Sequence, residues 1–295
     1  MARAFSRIRQ IEDRMTVNRS ESEVESVNRA AGLHAVRVSP DTMEVLQAGL
    51  EFSRLGDGAF DITVGPLVKL WGIGTEKARV PSPEEIREAL GHVGYRSLKL
   101  DASSAEAFLL SRSMRLDLGA IAKGYAADEA ARILRFEGVK TALINLGGNI
   151  LTMGKKPDGS PWRIGIQNPE DPRGTYLGIV TSAETSVVTS GVYERFFERD
   201  GVRYHHILDT RTGFPVSNGL TSVSIVTAHS MRADGFSTLL FALGLEKGME
   251  LALRTPDIQA IFIDDRRSVY LTPGLRGSFE LTDSRFTIRP VPASP

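Results

Sequence analysis

The sequence predicts an α+β fold, because stretches with helical spacing and stretches with strand character follow one another in irregular order. This order favours α+β over a doubly wound parallel sheet, in which strands and helices would alternate. No internal repeat, linker or low-complexity segment interrupts the 295 residues, and a chain of this length can bury a sizeable core. We therefore expect one domain over residues 1–295 in which strands and helices interleave.

Composition narrows the class of protein. Lys plus Arg equals Asp plus Glu at 36 each, so the chain lacks the basic excess of a nucleic-acid surface. The absence of cysteine excludes disulfides, thiolate metal sites and a cysteine nucleophile. No apolar run approaches the ~20 residues of a membrane span. The first 15 residues have neither a signal-peptide core nor a lipidated cysteine, which predicts a cytoplasmic chain unless an export segment was removed.

The first third of the chain carries helix signals. Ser20 and Glu23 have the spacing of a capping box, and Ser82 with Glu85 repeats it with proline at the first helical position. We predict helices over 4–15, from Ser20 to Gly32, from Ser39 to Gly56 and from Ser82 onward. Residues 67–74, which include Trp71, are rich in glycine and aromatic residues, a composition that suits a pocket wall and a buried loop equally.

Residues 114–149 predict a strand, a tight turn, a helix and a second strand. The expected elements are a strand over 114–118, a turn at Gly119, a helix over 120–136, a stop at Gly138, a strand over 141–146 and a break at 147–149. Bare N–H groups at the start of a helix bind phosphate well. The glycine turn is therefore either a phosphate site or a plain connection.

The rest of the chain reads mainly as strands. Asp200-Gly201 between two apolar runs predicts a hairpin, and Ser230 is the expected cap of a helix over 231–243 that ends at Gly244. A further helix is expected over 245–254. We expect strands near 96–101, 106–118, 162–167, 177–181, 186–197, 204–209, 220–227, 259–263, 268–272 and 278–288.

Asp234 and Thr238 are the candidate metal ligands. They are four residues apart on one predicted helix, so their side chains share a face and offer only oxygen, which suits Mg²⁺. A solvated surface pair is the alternative. The surrounding residues are apolar nearly all round the helix, which implies burial, and a buried aspartate needs a partner or an ion.

Four further residues carry possible chemistry. His205 and His206 lie on a predicted strand and face opposite sides, so only one can enter a given cleft, as a general base or as a structural histidine. Lys123 could bind phosphate or be solvated. Tyr193 could stack on a ring or fill the core.

Six motifs follow one another along the chain: FDITVGPLVKLWGIG (60–74), DLGAIAKGYAAD (117–128), INLGGNI (144–150), TSGVYERFF (189–197), YHHILDTRTGFPV (204–216) and ADGFST (233–238). In this order they resemble the FAD:protein FMN transferase family, the ApbE-like flavin transferases. The resemblance covers about residues 6–288, nearly the whole chain.

The resemblance implies an activity and a fold. An ApbE-like flavin transferase domain would use FAD as substrate with Mg²⁺, transfer FMN to a threonine hydroxyl of a target protein and release AMP. The acceptor would be a protein with a threonine flavinylation motif, such as a redox or membrane electron-transfer subunit. Nucleic acid is not among the expected partners.

The resemblance also implies roles for individual residues. His206 would be the base that activates the hydroxyl, and Asp234 would serve catalysis as a metal ligand. The expected Mg²⁺ ligands are the Ala120 backbone oxygen, Asp234 and Thr238. The expected FAD contacts are Trp71, Asp117, Lys123 and Leu208.

The sequence departs from the family pattern at several points. Thr210 stands where proline is usual, and Asn18 stands where an aromatic flavin contact is common. We expect the N-terminal strand of the family, with its methionine flavin contact, and the usual export signal to be absent. Two alternatives follow, an FAD pyrophosphate hydrolase and a non-catalytic flavin-binding module. Family members are often exported, so a truncated N-terminus would imply a periplasmic or membrane-associated protein.

Overall fold

A computed structural model describes residues 1–291, and their contacts divide the chain into two compact units. Unit 1 comprises Met1–Ile8, Lys123–Tyr193 and Ser217–Pro295, of which 217–291 are described. Unit 2 comprises Arg9–Ala122 and Glu194–Val216. Helices and largely antiparallel sheets together confirm the α+β class. The single domain over 1–295 stays a prediction, because the contacts resolve two units built from interleaved segments.

Eight α-helices lie in the described residues. They are α1 (Ala2–Met15), α2 (Glu23–Arg29), α3 (Pro40–Leu55), α4 (Gly65–Trp71), α5 (Pro83–Leu90), α6 (Ala122–Phe136), α7 (Ser230–Leu243) and α8 (Leu245–Arg254). Short 3₁₀ turns cover Tyr95–Ser97 and Pro273–Leu275. In the described part of the chain, none of the helices combines the length and apolarity that a membrane span requires.

Fifteen strands lie in the same residues. They are β1 (Val36–Arg37), β2 (Leu98–Asp101), β3 (Glu106–Leu109), β4 (Ala142–Leu146), β5 (Asn149–Met153), β6 (Trp162–Gln167), β7 (Tyr176–Ser182), β8 (Ser186–Gly191), β9 (Phe196–Arg199), β10 (Val202–His205), β11 (Leu220–Thr227), β12 (Ile258–Asp264), β13 (Ser268–Leu271), β14 (Phe279–Leu281) and β15 (Thr287–Ile288).

Unit 1 is built on two sheets that share an apolar core. The larger sheet has the order β15-β13-β12-β11-β8-β5-β4, and the smaller has the order β14-β7-β6. Every neighbouring pair is antiparallel except β13 with β15. Side chains such as Ile166, Leu177 and Ile261 fill the space between the sheets. Helix α7 packs against β8 and β11 and is buried nearly all round, as its apolar composition predicts.

Unit 2 contains the three-stranded sheet β1-β3-β2 and the two-stranded hairpin β9-β10. Asp200 and Gly201 have φ angles of 52° and 76°, the left-handed conformation that a two-residue hairpin turn requires, so the predicted hairpin is confirmed. Trp71, at the end of α4, is completely buried in a cluster that also contains Leu67 and Ile86.

Several predicted helix boundaries are confirmed. Ser39 caps α3, whose first residue is proline. Ser82 and Glu85 form the reciprocal capping box at the start of α5. The expected cap at Ser20 is wrong, because Ser22 caps α2 by accepting from the Glu25 N–H at 3.0 Å. Both serines have a glutamate three residues on, and the second serine is the one that caps the helix, whose Val24 and Val27 are buried.

The predicted strand over 114–118 is not formed. The alternation is present, since Met114, Leu116 and Leu118 are buried, but the segment makes only one bridge, between Arg115 and Val64. The Asn28 side chain instead accepts from the Leu116 N–H at 2.6 Å and donates to the Leu116 carbonyl at 3.2 Å. A side-chain amide thus takes the place of a neighbouring strand.

The remaining boundaries differ less. Helix α6 begins at Ala122, two residues later than expected, and residues 65–71 form a helix where a wall or loop was expected. The strand expected over 204–209 ends at His205, and the stretches 186–197 and 278–288 each contain two strands rather than one.

Candidate functional site

The carboxylate of Asp234 lies at the start of α6, beside Lys123. Asp234 is 4% exposed, and its Oδ2 accepts from the Gly124 N–H at 2.9 Å. Its Oδ1 lies 3.5 Å from Lys123 Nζ, and the lysine side chain is 44% exposed. The structure therefore brings two of the predicted site residues together in unit 1. The ion pair is long enough for its hydrogen bond to be weak, which leaves Oδ1 able to accept more strongly elsewhere.

Gly124 allows α6 to approach α7 this closely. A β-carbon at position 124 would lie 2.3 Å from the Ser230 carbonyl oxygen and 2.5 Å from Met231 Cα. Both contacts are with backbone atoms, which cannot rotate away. Glycine is therefore the residue that lets the Gly124 N–H reach the Asp234 carboxylate on the neighbouring helix.

Asp128, a residue that sequence reasoning did not assign, makes the reciprocal contact. Its carboxylate on α6 accepts from the Ser230 and Met231 N–H groups at 2.8 and 2.9 Å, so it caps the start of α7. The expected cap, Ser230, is the first helical residue and does not cap the helix. Burial raises the pKa of Asp128, while the two N–H donors act in the opposite direction.

Thr238 belongs to a chain of hydroxyl groups one turn beyond Asp234. Its Oγ1 lies 3.0 Å from Ser190 Oγ, which lies 2.9 Å from Ser237 Oγ. Ser237 in turn donates to the Asp234 carbonyl at 2.8 Å. Hydroxyls and one carboxylate are hard oxygen donors of the kind that Mg²⁺ accepts, so the donor set fits the predicted metal.

The predicted metal ligands divide between the units. Asp234 and Thr238 belong to unit 1, and Ala120 belongs to unit 2. In residues 1–291 no three side chains of the His, Cys, Asp or Glu type form a group that could hold a metal. A site here would therefore depend on one carboxylate, hydroxyls and backbone oxygens, which is the kind of set predicted.

Asn149, the last residue of the predicted break at 147–149, is part of a buried polar network. Ser230 Oγ donates to Asn149 Oδ1 at 2.5 Å, and Ser186 Oγ donates to Ser230 Oγ at 2.9 Å. The Asn149 Nδ2 is buried and has no hydrogen-bond partner among the described residues. The sequence marked Ser230 only as a helix cap and did not mark Ser186, because the partners of both hydroxyls lie on other elements.

His205 and His206, both in unit 2, lie in different environments, as the sequence predicts, although the strand ends at His205. His205 is buried, its Nε2 lies 2.9 Å from the Val216 carbonyl, and its Nδ1 accepts from the Ile207 N–H at 3.3 Å. Burial lowers the pKa of His205, so the neutral imidazole is favoured and serves the structure. His206 is half-buried, and its Nδ1 lies 3.3 Å from the Arg195 carbonyl.

Trp71 and Leu208, two predicted flavin contacts, pack in the core of unit 2. Trp71 donates from Nε1 to the Gly213 carbonyl at 2.7 Å, and its ring lies 5.5 Å from Tyr204 and 5.8 Å from Phe214 between centroids. Leu208 is 7% exposed in the same apolar cluster. Their contact with a flavin stays a prediction, and in the protein alone they support the loop that follows His206.

Asp117 and Asp61 hold turns in unit 2. Asp117 is half-buried and accepts from the Gly119 N–H at 2.8 Å, so its role as an FAD contact stays a prediction. Asp61, which was not singled out, accepts from the Thr63 N–H, the Thr63 hydroxyl and the Tyr95 N–H, each at 2.7 Å. Burial raises the pKa of Asp61 against these three bonds. Asp61 of the FDITVGP motif therefore stabilises the local structure.

The fold and the site together define a class of protein. Unit 1 presents a buried acid, a lysine and a row of hydroxyls where two helices begin, an arrangement suited to phosphate and a hard cation. The chain belongs to the ApbE family, whose model matches residues 1–262. The predicted family and its fold are thereby confirmed.

Curated relatives are similar over nearly the whole chain. An FAD:protein FMN transferase of Klebsiella pneumoniae is 43% identical over 287 residues, which are 97% of this chain and 89% of the relative. A protein with the same name from Treponema pallidum is 37% identical over 96% of this chain and 82% of its own length.

Solved structures of ApbE proteins are also similar to this chain. The ApbE protein of Thermotoga maritima superposes with a TM-score of 0.86 at 33% identity, over 94% of this chain and 90% of its own. The flavinyl transferase ApbE of Pseudomonas stutzeri, in its apo form, superposes with a TM-score of 0.82 at 35% identity. The match covers 94% of this chain and 87% of that protein.

We predict that Asp128→Asn destabilises unit 1 by about 1–2 kcal/mol, because an amide can accept only through its oxygen and would point its NH₂ group at a backbone N–H. Urea unfolding measures the change. Glu246→Gln is the matched control, since it makes the same substitution in the exposed first turn of α8. Equal losses in the two variants would contradict the capping role.

We predict that protonation of His205 lowers the free energy of unfolding at pH values below about 6.5, the ordinary pKa of histidine. Because burial lowers the pKa of His205, its contribution is fully present above pH 6.5 and is lost as the pH falls toward the folded-state pKa. His205→Gln should flatten the decline in unfolding free energy between pH 6.5 and 5.5 by up to ~1.4 kcal/mol per pH unit. The exposed His34→Gln is the control, and identical slopes in all three proteins would refute the prediction.

Proposed function

We propose that this chain is an FAD:protein FMN transferase that moves FMN from FAD to a threonine hydroxyl of a target protein. The observation that carries the proposal is the buried Asp234 beside Lys123 at the start of α6, in a chain that matches named transferases over nearly its whole length. In the reaction, the threonine oxygen bonds to the phosphorus of the FMN half. The bond from that phosphorus to the bridging oxygen breaks, and AMP leaves with that oxygen.

We assign the metal to the oxygen donors of unit 1. Asp234 and Thr238 would hold Mg²⁺ there. Bound there, Mg²⁺ supplies positive charge that neutralises the phosphate oxygens. The weak pairing of Asp234 Oδ1 with Lys123 supports this assignment, because that oxygen can exchange the lysine for a cation.

Lys123 and Asp117 are the proposed contacts to FAD. Lys123 is half-exposed on the first turn of α6, where the helix dipole adds to its positive charge. A lysine acts on phosphate as a point charge and needs no fixed geometry, which fits a side chain that is 44% exposed. Trp71 and Leu208 are the proposed walls of the flavin pocket.

His206 is the proposed base. If its Nδ1–H donates to the Arg195 carbonyl, which lies at 3.3 Å, the ring holds its lone pair on Nε2. Nε2 would then take the proton of the threonine hydroxyl as the oxygen attacks phosphorus. The burial of the neighbouring His205 supports this choice, because that ring is already used by Val216 and Ile207.

The acceptor is proposed to be a protein with a threonine flavinylation motif, in a redox or membrane electron-transfer subunit. The test combines the protein, FAD, MgCl₂ and an acceptor domain that a known family member modifies. We expect the acceptor mass to increase by one FMN, with one AMP released per transfer. AMP and free FMN without a modified acceptor would indicate the hydrolase instead, and FAD binding without AMP would indicate a flavin-binding module.

Asp234→Asn is the control variant in that assay. It keeps the shape of the side chain but removes the charge, so transfer should fall by at least about 100-fold at any MgCl₂ concentration. A thermal unfolding scan verifies that the variant is folded. Full activity in the folded variant would overturn the assignment of Asp234.

We predict that His206→Gln slows transfer by about 10²–10⁴-fold, the usual contribution of a general base, and leaves the dissociation constant of FAD within about threefold. Fluorescence titration gives the FAD affinity, and acceptor mass against time gives the rate. His34→Gln should leave both unchanged. Equal losses of binding and rate in His206→Gln would instead indicate a structural histidine.

A further inference from the structure

Unit 2 contains a groove that none of the proposed chemistry uses. Its volume is about 590 Å³, and it runs between α3 and the segment that forms the 3₁₀ turn and β2. Leu50, Tyr95 and Leu98 form its floor and are 6%, 8% and 4% exposed. The groove therefore has an apolar base that is large enough to receive side chains of a partner.

The rim of the groove is positively charged. Arg54, Arg96 and Lys99 line it, and none of the other described residues that line the groove is acidic. Arg96 is held by Asp57 at 2.8 Å and lies 5.0 Å above the Tyr95 ring. Within residues 1–291, neither Arg54 nor Lys99 has a carboxylate within 4.0 Å. Two cations are thus available to a negatively charged partner.

A free strand edge runs along the same groove. Among the strands of residues 1–291, β2 lies at the edge of its sheet and pairs only with β3. The Leu110 N–H donates to the Ser97 carbonyl at 2.9 Å, so in this register the alternate residues Leu98 and Leu100 direct their backbone groups away from β3. The Leu98 N–H is used by the Tyr95 carbonyl. The Leu100 N–H and carbonyl meet no hydrogen-bonding partner in the described chain.

We propose that this groove docks an extended, acidic segment of the acceptor protein, which adds to the edge of β2 as a further strand. The inference rests on the proposed transferase function, because that function requires a protein substrate. The Leu100 backbone would bond the segment, the floor would take its apolar side chains, and Arg54 and Lys99 would pair with its carboxylates.

Each feature has an ordinary explanation when it stands alone. A lysine on an edge strand discourages pairing between proteins, and an apolar groove can be a packing defect. Together they favour a polypeptide. Nucleic acids and anionic lipids would satisfy the cations, but neither offers the alternating N–H and carbonyl groups that the edge of β2 accepts.

The test measures binding of the acceptor domain without turnover, by fluorescence anisotropy of the labelled domain. We expect the double variant Arg54→Glu/Lys99→Glu to raise the dissociation constant at least tenfold and to remove its dependence on salt. Arg37→Glu/Arg112→Glu is the matched control, since it makes the same charge change in unit 2 at exposed residues outside the groove. This control should bind as the wild type does.

Hydrogen exchange supplies a second measurement. The amide of Leu100 should become protected when the acceptor domain binds, and FAD affinity should be the same in all variants. Binding that is equal in both double variants, or an unprotected Leu100 amide, would overturn the docking proposal even if transfer occurs. Groove-dependent binding without transfer would reject only the proposed function. Groove-dependent binding to phosphatidylglycerol vesicles, without binding of the acceptor domain, would overturn the docking proposal.

Discussion

Helices α6 and α7 each place one carboxylate at the start of the other helix, and these two contacts hold the candidate site together. Asp128 on α6 caps the start of α7, and Asp234 on α7 accepts from the first turn of α6. Unpaired N–H groups at a helix start favour a negative charge, so each of these two carboxylates is stabilised by the helix that it does not belong to. The same arrangement fixes Asp234 beside Lys123 and places Thr238 one turn further along the helix.

Polar residues of the recognised motifs divide into two kinds. Asp61 and His205 are buried and fully engaged with nearby backbone groups, so they hold loops in place. Lys123 and His206 are partly exposed, with a 3.5 Å ion pair to Asp234 and a 3.3 Å contact to the Arg195 carbonyl, respectively. A side chain whose polar atoms already bond to nearby backbone groups has little capacity left for a ligand. Burial and internal hydrogen bonding therefore indicate scaffold roles for Asp61 and His205, while the roles of Lys123 and His206 stay proposals.

Local signals predicted the elements whose determinants lie close together in the chain. The capping box at Ser82 and the hairpin at Asp200-Gly201 are correct because turn and cap geometry involves only a few neighbouring residues. The predicted cap at Ser20 and the predicted strand over 114–118 are wrong, each for its own reason. In the first case the same spacing of serine and glutamate occurs twice, at Ser20 and at Ser22, and the second serine caps the helix. In the second, Asn28, 88 residues away from Leu116, took the place of a strand.

The sequence by itself determined the α+β class, the family through six ordered motifs, and the pairing of Asp234 with Thr238 on one helix face. Periodicity and residue chemistry suffice for these, since each depends on spacing along the chain. Only the tertiary structure decided that Asp128 caps a helix about 100 residues away, that Asp61 and His205 serve the scaffold, and that β2 leaves an edge beside Arg54 and Lys99. Such contacts depend on which distant backbone groups meet in three dimensions, and no local pattern encodes that.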